Sequence, residues 1–269
     1  MLRHNVFRLS LCCLALVALI FITSKNSVAS EGLILPVLVY HHIQEKLQSD
    51  VACTPEQFEM QILALKNAGF TPLTIAQTKL FIAGALDSKI AKPVMITFDD
   101  GYESLYQYAL PVARRHRFCM SAFVVTSRIG RKLQFASYLT ENQIREMASS
   151  GVFEFGSHSH DLHTEITRIY DAFGGSYENP VANLLNRDLR ISSAHLESIT
   201  GKRPDALAWP YGKFNSDLTG IARRNGFKIH FTSEFGYNEA GSNPFMIKRI
   251  PITSRDTSES VIKKATASQ

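Results

Sequence analysis

The sequence predicts a parallel, barrel-like α/β domain. Short β-rich runs alternate with helical segments over about 240 residues, close to the roughly 250 typical of β/α barrels. With 269 residues, 45% hydrophobic and 20% charged, the chain can build a large core and is neither disordered nor a polytopic membrane protein. In such barrels the chemistry sits at the C-terminal ends of the strands.

Pro36-Val37-Leu38-Val39-Tyr40 reads as a buried first strand. Thr54-Pro55-Glu56-Gln57 opens a helix with an N-cap threonine, a first-turn proline and a capping-box glutamine, and Gly69 stops it. A short strand near Phe70–Leu73, a helix within Ile75–Leu86 and the strand Pro93–Phe98 follow. The pattern then predicts a helix over Ser104–His116, a strand over Met120–Val125, a helix opened by Thr140-Glu141-Asn142-Gln143 and ended at Gly151, and a strand over Val152–Phe155. Leu184–Ile199 is a long amphipathic helix closed by Gly201, followed by strand Ala206–Trp209, helix Ser216–Asn225 and strands Phe227–Phe231 and Ile247–Ile252. The stretch Glu165–Pro180 is long for a connection, and reads either as a substrate-binding loop or as a mobile excursion.

The net charge of +5 is partly an end effect, because Arg3, Arg8 and Lys25 precede the first acid, Glu31. Beyond them 26 cations face 24 acids, which excludes a strongly basic, nucleic-acid-binding surface. Arg3 and Arg8 lead into an apolar run, Leu9–Ile22, and then Ser27-Val28-Ala29-Ser30, the order of a secretory signal over residues 1–30, with the functional domain over 31–269. The run is short against the roughly 20 residues of a membrane span, and an uncleaved anchor is the alternative. The expected location is therefore periplasmic, extracellular or at the cell surface. Cys12 and Cys13 belong to that run, which leaves Cys53 and Cys119 either as free thiols or as a single bridge.

Four motifs fall at predicted strand ends. Thr97-Phe98-Asp99-Asp100-Gly101 sets two carboxylates side by side where burial would make them repel, so they need a cation or a shared proton unless the turn is solvated. Gly156-Ser157-His158-Ser159-His160-Asp161-Leu162-His163 brings three imidazoles within six residues, and two histidines plus one carboxylate would hold a divalent ion with positions left open. Ala208-Trp209-Pro210-Tyr211-Gly212 fixes a backbone path that suits an N–H aimed into a site, with Trp209 or Tyr211 to stack on a sugar, or else is an ordinary turn. Tyr40-His41-His42 ends the first strand.

In this order the motifs resemble the polysaccharide deacetylases with a NodB-homology domain, carbohydrate esterase family 4, over nearly all of Pro36–Ile252. Thr97–Gly101 is the most specific signature. Within the family the chain looks most like the exported deacetylases of poly-β-1,6-N-acetylglucosamine, a biofilm polysaccharide. The resemblance implies a distorted, incomplete (β/α) barrel and a metal-dependent N-deacetylase acting on an N-acetylated polysaccharide, with one divalent ion, zinc before nickel, cobalt or iron. It implies Asp99 as general base, Asp100, His158 and His163 as metal ligands, His41 as general acid and the Tyr211 N–H as oxyanion donor, with His160 spare and His42 outside the site. The His158–His163 separation of five, where the commoner family pattern has four, matches the biofilm subgroup.

The chain departs from the usual pattern in two places. Ala208 stands where the family has an arginine that pairs with the base, and no Leu-x-His follows Ile252. Arg249 either supplies the missing charge near Asp99 or is a surface residue. The rival readings are a peptidoglycan or chitin-type β-1,4 deacetylase and a carbohydrate-binding barrel without activity. Further partners are a membrane, through the N-terminal segment, and polysaccharide export or synthesis machinery.

Overall fold

The computed structural model describes residues 32–134, 136–166 and 180–267. Seven parallel strands close a barrel in chain order: β1 (Val37–Tyr40), β2 (Pro93–Phe98), β3 (Met120–Val124), β4 (Phe153–Ser157), β5 (Ala206–Ala208), β6 (Ile229–Phe235) and β7 (Ile247–Pro251). The first strand closes the ring, with Val37 opposite Met95 on one side and Leu38 opposite Ile250 on the other. Both β1 and β2 are buried at every position, as expected of strands covered on both faces.

Period-2 alternation sorts the side chains. Val37, Met95, Phe123, Ala206, Ala208, Phe231 and Ile247 point into the barrel, while Leu38, Tyr40, Ile96 and Phe98 pack outward. The outer helices include α1 (Pro55–Asn67), α2 (Ile75–Ile82), α3 (Leu110–His116) and α4 (Glu141–Ser149). After them come α5 (Pro180–Thr200), α6 (Ser216–Arg224) and α7 (Ser258–Thr266). Capping boxes at Thr54/Gln57, Thr74/Gln77 and Thr140/Gln143 start α1, α2 and α4.

The helix expected over Ser104–His116 is two pieces, a π-helical turn Leu105–Ala109 and then α3. Leu110 donates to the carbonyl five residues back, and Pro111 follows with no N–H to give, so the irregular turn falls where proline breaks the ladder. Strand β5 stops one residue short of Trp209, and β6 runs on to Phe235 through a register shift against β7. Elements beyond the expected set include α7, which packs on α1, the pairing of His42–Ile43 with Ala52–Cys53, and the hairpin of Lys132–Leu133 with Ala136–Ser137.

Cys53 and Cys119 are free, and burial pushes both thiols up to about 12. The leader expected over residues 1–30 and most of Glu165–Pro180 lie outside the described residues. No helix among the described residues is long and apolar enough to cross a membrane.

His230 on β6 is fully buried against Trp209 and Phe245, and neither ring nitrogen reaches a well-aligned partner. Burial pushes this imidazole down to about 4. Its unfolded form therefore binds the proton first, and stability falls as pH drops from about 6.5 through the folded value. His230→Leu should remove up to about 3 kcal/mol of that acid-dependent loss. The check is the variant-minus-wild-type unfolding free energy at pH 7 and at pH 4, which should shift in the variant's favour toward the acid side by up to about that amount.

Candidate active site

Continuing the alternation past the strand ends builds the barrel mouth. On β2, Met95 and Thr97 point inward, so Asp99 is the next inward residue. On β7 the same step from Ile247 brings Arg249 inward, and on β1 the step from Val37 through Val39 brings His41. The chain then turns sharply after Asp99. Asp100 has φ 69° and Gly101 φ 80°, so Asp100 is held in a left-handed conformation that aspartate tolerates better than most side chains.

Arg249 is only 3% exposed and grips Asp99 with both terminal nitrogens, Nη1 to Oδ1 at 2.8 Å and Nη2 to Oδ2 at 2.7 Å, while its Nε donates to the Thr232 carbonyl at 2.7 Å. The surface reading of Arg249 is thereby excluded. Burial raises the Asp99 carboxyl, but Arg249, His158 and His41 outweigh it and hold it below the ordinary carboxylate range. The carboxylate is thus kept ionised, and each oxygen retains a further lone pair for a proton. At Ala208, where the family carries its usual arginine, the backbone carbonyl instead accepts Nδ1–H of His158 at 2.8 Å.

Asp100, His158 and His163 bring one donor atom each to within 4.8 Å of one another, and all three are buried. Nε2 of His163 stands 3.1 Å from Asp100 Oδ1. That buried oxygen nonetheless lacks an aligned hydrogen-bond donor, and burial pushes the His158 imidazole down, toward the neutral form. A buried carboxylate oxygen without an aligned donor, set beside two imidazoles, fits a divalent cation. His160 is turned away: its Nδ1 meets Thr126 Oγ1 at 2.9 Å.

The histidine loop is held from outside by Asp188 of α5, which accepts the backbone N–H groups of His160 at 2.7 Å, Asp161 at 2.7 Å and Leu162 at 3.1 Å. Asp188 is buried, and the sequence reading missed it. Its signal is an acid three residues after Leu185 and one before Leu189, on the buried stripe of an amphipathic helix.

Tyr211 and Trp209 part company. Tyr211 is 59% exposed, has φ 53° and lies with its ring 4.9 Å from that of His163. Its carbonyl accepts Ser233 Oγ at 3.2 Å, and a Cβ on Gly212 would come within 2.7 Å of the Ser233 backbone nitrogen, so only glycine fits there. Trp209 does not reach the mouth. It is 1% exposed and packs with Leu207 under α5 and α6, because Ala206 and Ala208 take the inward positions of β5. The expectation that Trp209 stacks on sugar is corrected accordingly.

His42 is half-buried, with its ring 4.3 Å from that of Tyr102 and its Nδ1 3.0 Å from the Ile43 carbonyl. A polar cavity of about 460 Å³ opens beside it, lined also by Gln44, Glu45, Glu103, Gln107 and Tyr108.

Residues 87–230, more than half of the chain, match the family model of the polysaccharide deacetylases. The chain belongs to the polysaccharide deacetylase family. It is accordingly a hydrolase that removes acetyl groups from a polysaccharide. A poly-beta-1,6-N-acetyl-D-glucosamine N-deacetylase of Staphylococcus aureus is 28% identical over 228 residues, 84% of this chain and 76% of that protein. IcaB from Ammonifex degensii has a similar structure, with TM-score 0.75 and 28% identity over 87% of this chain and 97% of that one. The BpsB deacetylase domain from Bordetella bronchiseptica is similar at TM-score 0.65 and 27% identity, covering 81% of this chain and 95% of that one. The seven-stranded barrel described above is the fold of this deacetylase family.

Proposed function

We propose that this polysaccharide deacetylase is a metal-dependent, exported enzyme that hydrolyses N-acetyl groups of poly-β-1,6-N-acetylglucosamine. The observation that carries the reading is the buried Arg249–Asp99 pair directly beside the Asp100, His158 and His163 donors. A non-catalytic barrel has no use for an ionised carboxylate held that way next to three convergent ligands. The β-1,6 linkage is supported by the five-residue histidine spacing, by Tyr40-His41, and by curated relatives carrying that substrate in their names. The acidic and amide side chains of the cavity beside His42 suit the hydroxyls of a neighbouring sugar.

Asp100, His158 and His163 would hold the ion, zinc being the first choice for two imidazoles and a carboxylate. A divalent ion there supplies Lewis acidity toward the acetyl carbonyl and makes nearby water more acidic. Asp99 takes the proton from the attacking water as the oxygen joins the carbonyl carbon. The Tyr211 N–H donates to the oxyanion so formed, a contribution of about 2.7–4 kcal/mol for one such donor. His41 then gives a proton to the nitrogen, the C–N bond breaks, and acetate and glucosamine leave. The leader would direct this work outside the cell, beside polysaccharide synthesis or export machinery.

Incubation of zinc-loaded protein with β-1,6-linked N-acetylglucosamine oligomers should release acetyl groups, read as mass loss, with a higher kcat/KM than chitin oligomers or peptidoglycan fragments of equal length. Faster reaction of the β-1,4 substrates would replace the linkage in this reading. No acetyl loss from any of them would leave the binding-barrel alternative.

A further inference from the structure

The residues between His158 and His163 form neither helix nor strand, so the partners of their backbone groups must lie elsewhere. Every N–H from Ser159 to Leu162 ends on a side-chain oxygen. Ser159 donates to Ser157 Oγ at 3.1 Å, and Ser157 Oγ in turn lies 2.7 Å from Ser192 Oγ on α5. His160 donates to Asp188 Oδ2 at 2.7 Å, while Asp161 and Leu162 share Oδ1 at 2.7 and 3.1 Å. The left-handed turn at Ser159, φ 75°, begins this convergence of successive N–H groups, which is the form of a backbone anion nest. The anion in it is the Asp188 carboxylate, 5% exposed and one helical turn before Ser192 on the same face of α5.

We propose that Asp188 is a positioning residue of the metal site: by filling the nest, its carboxylate fixes the loop that joins His158 to His163 and thereby the convergence of the two imidazoles. The inference rests on the reading of Asp100, His158 and His163 as metal ligands. His158 is anchored at the end of β4, where its N–H donates to the Val124 carbonyl at 3.0 Å, whereas His163 follows only across residues 159–162. Three N–H dipoles aimed at one point repel one another unless a negative charge sits there. Asp188 supplies that charge from a rigid support, because α5 packs on β4, α4 and α6. The other side of the loop rests on the short helical turn Thr126–Arg128, whose Thr126 and Ser127 N–H groups donate to the Ser159 and His160 carbonyls. Asp188 thus acts on the imidazoles through the backbone between them.

Asp188→Ala deletes the carboxylate and leaves the space of one formate ion, which can take its place in the nest. Calorimetric titration of the chelator-treated full chain with Zn²⁺ should give a Kd about 10- to 100-fold higher for Asp188→Ala than for wild type, the usual effect of losing a group that orients metal ligands. Formate should bring the variant's Kd back toward that of wild type measured in the same buffer, and chloride at equal concentration should not. With Co²⁺ as probe, the visible absorption of the bound ion should change in Asp188→Ala and return with formate. A residue that served stability alone would lower the melting temperature and leave the Kd and the Co²⁺ spectrum as they were. That result overturns the proposal, as does a raised Kd that formate does not lower. Asp188→Asn keeps the volume and one acceptor but turns an amide NH₂ toward the nest, and it carries the test if the alanine variant does not fold: its Kd should rise about tenfold, and a wild-type Kd overturns the proposal. If wild type takes up no ion, or takes it up equally after His158→Ala, the ligand reading itself fails; binding that is lost in His158→Ala but unchanged in the Asp188 variants removes the role of Asp188 alone.

Discussion

Asp99→Asn is expected to keep its metal and lose nearly all turnover, about 10²- to 10⁴-fold in kcat, the usual contribution of a general base. The two neighbouring acids are built for different tasks. Asp100 turns away from the strand at φ 69° toward the histidines, whereas Asp99 continues the inward row and meets Arg249. Asparagine preserves the shape and one acceptor for the guanidinium but has no charge with which to take a proton from water. Some stability should go as well, because removing one partner of a buried ion pair costs about 3–5 kcal/mol and the retained acceptor recovers only part of it. Metal content, thermal melting and kcat at saturating metal separate the two effects. A folded, metal-loaded Asp99→Asn protein with near-wild-type kcat would remove Asp99 from the role of base.

The barrel and the acid pair were legible because strand periodicity and strand-end motifs are local. Pro93–Phe98 is apolar throughout and ends in Asp99-Asp100-Gly101, so the placement of the pair needed no long-range information. Arg249 was different. Whether it reaches Asp99 depends on β1 lying between β2 and β7 in a closed ring, a pairing across about 150 residues that no local pattern encodes. Trp209 was misread although the signal was present: Ala206 and Ala208 are small enough for a crowded barrel interior, and alternation then sends Leu207 and Trp209 outward to α5 and α6. Asp188 was passed over because an acid on a helix ordinarily faces solvent, and its three backbone partners come from a loop more than 25 residues away. The π-helical turn before Pro111 left no periodic trace, since five residues cannot be told from a regular helix by spacing.

His41→Ala is the other substitution with a large expected effect. Strand β1 ends at Tyr40, whose side chain packs outward with Phe58 and Phe98, so the following residue keeps the inward direction and His41 comes close enough to Asp99 to help hold that carboxyl ionised. Its Nδ1 is buried without a partner, as suits a group whose partner is the reacting molecule. His42 belongs to the other face. It turns onto Tyr102 and lines the polar cavity that the proposed function assigns to a neighbouring sugar, where the sequence had left it outside the site. The two histidines should therefore separate kinetically. His41→Ala should lower kcat by about 10² to 10⁴, the contribution of a general acid, with metal content and KM little changed, because the amine cannot leave unprotonated. His42→Ala should act mainly on KM for oligomers long enough to enter the cavity. Steady-state constants for both variants on the same β-1,6 oligomer decide it, and a severe kcat loss confined to His42→Ala would mean that the proton is delivered from the cavity side and that the inward row of β1 ends at Val39.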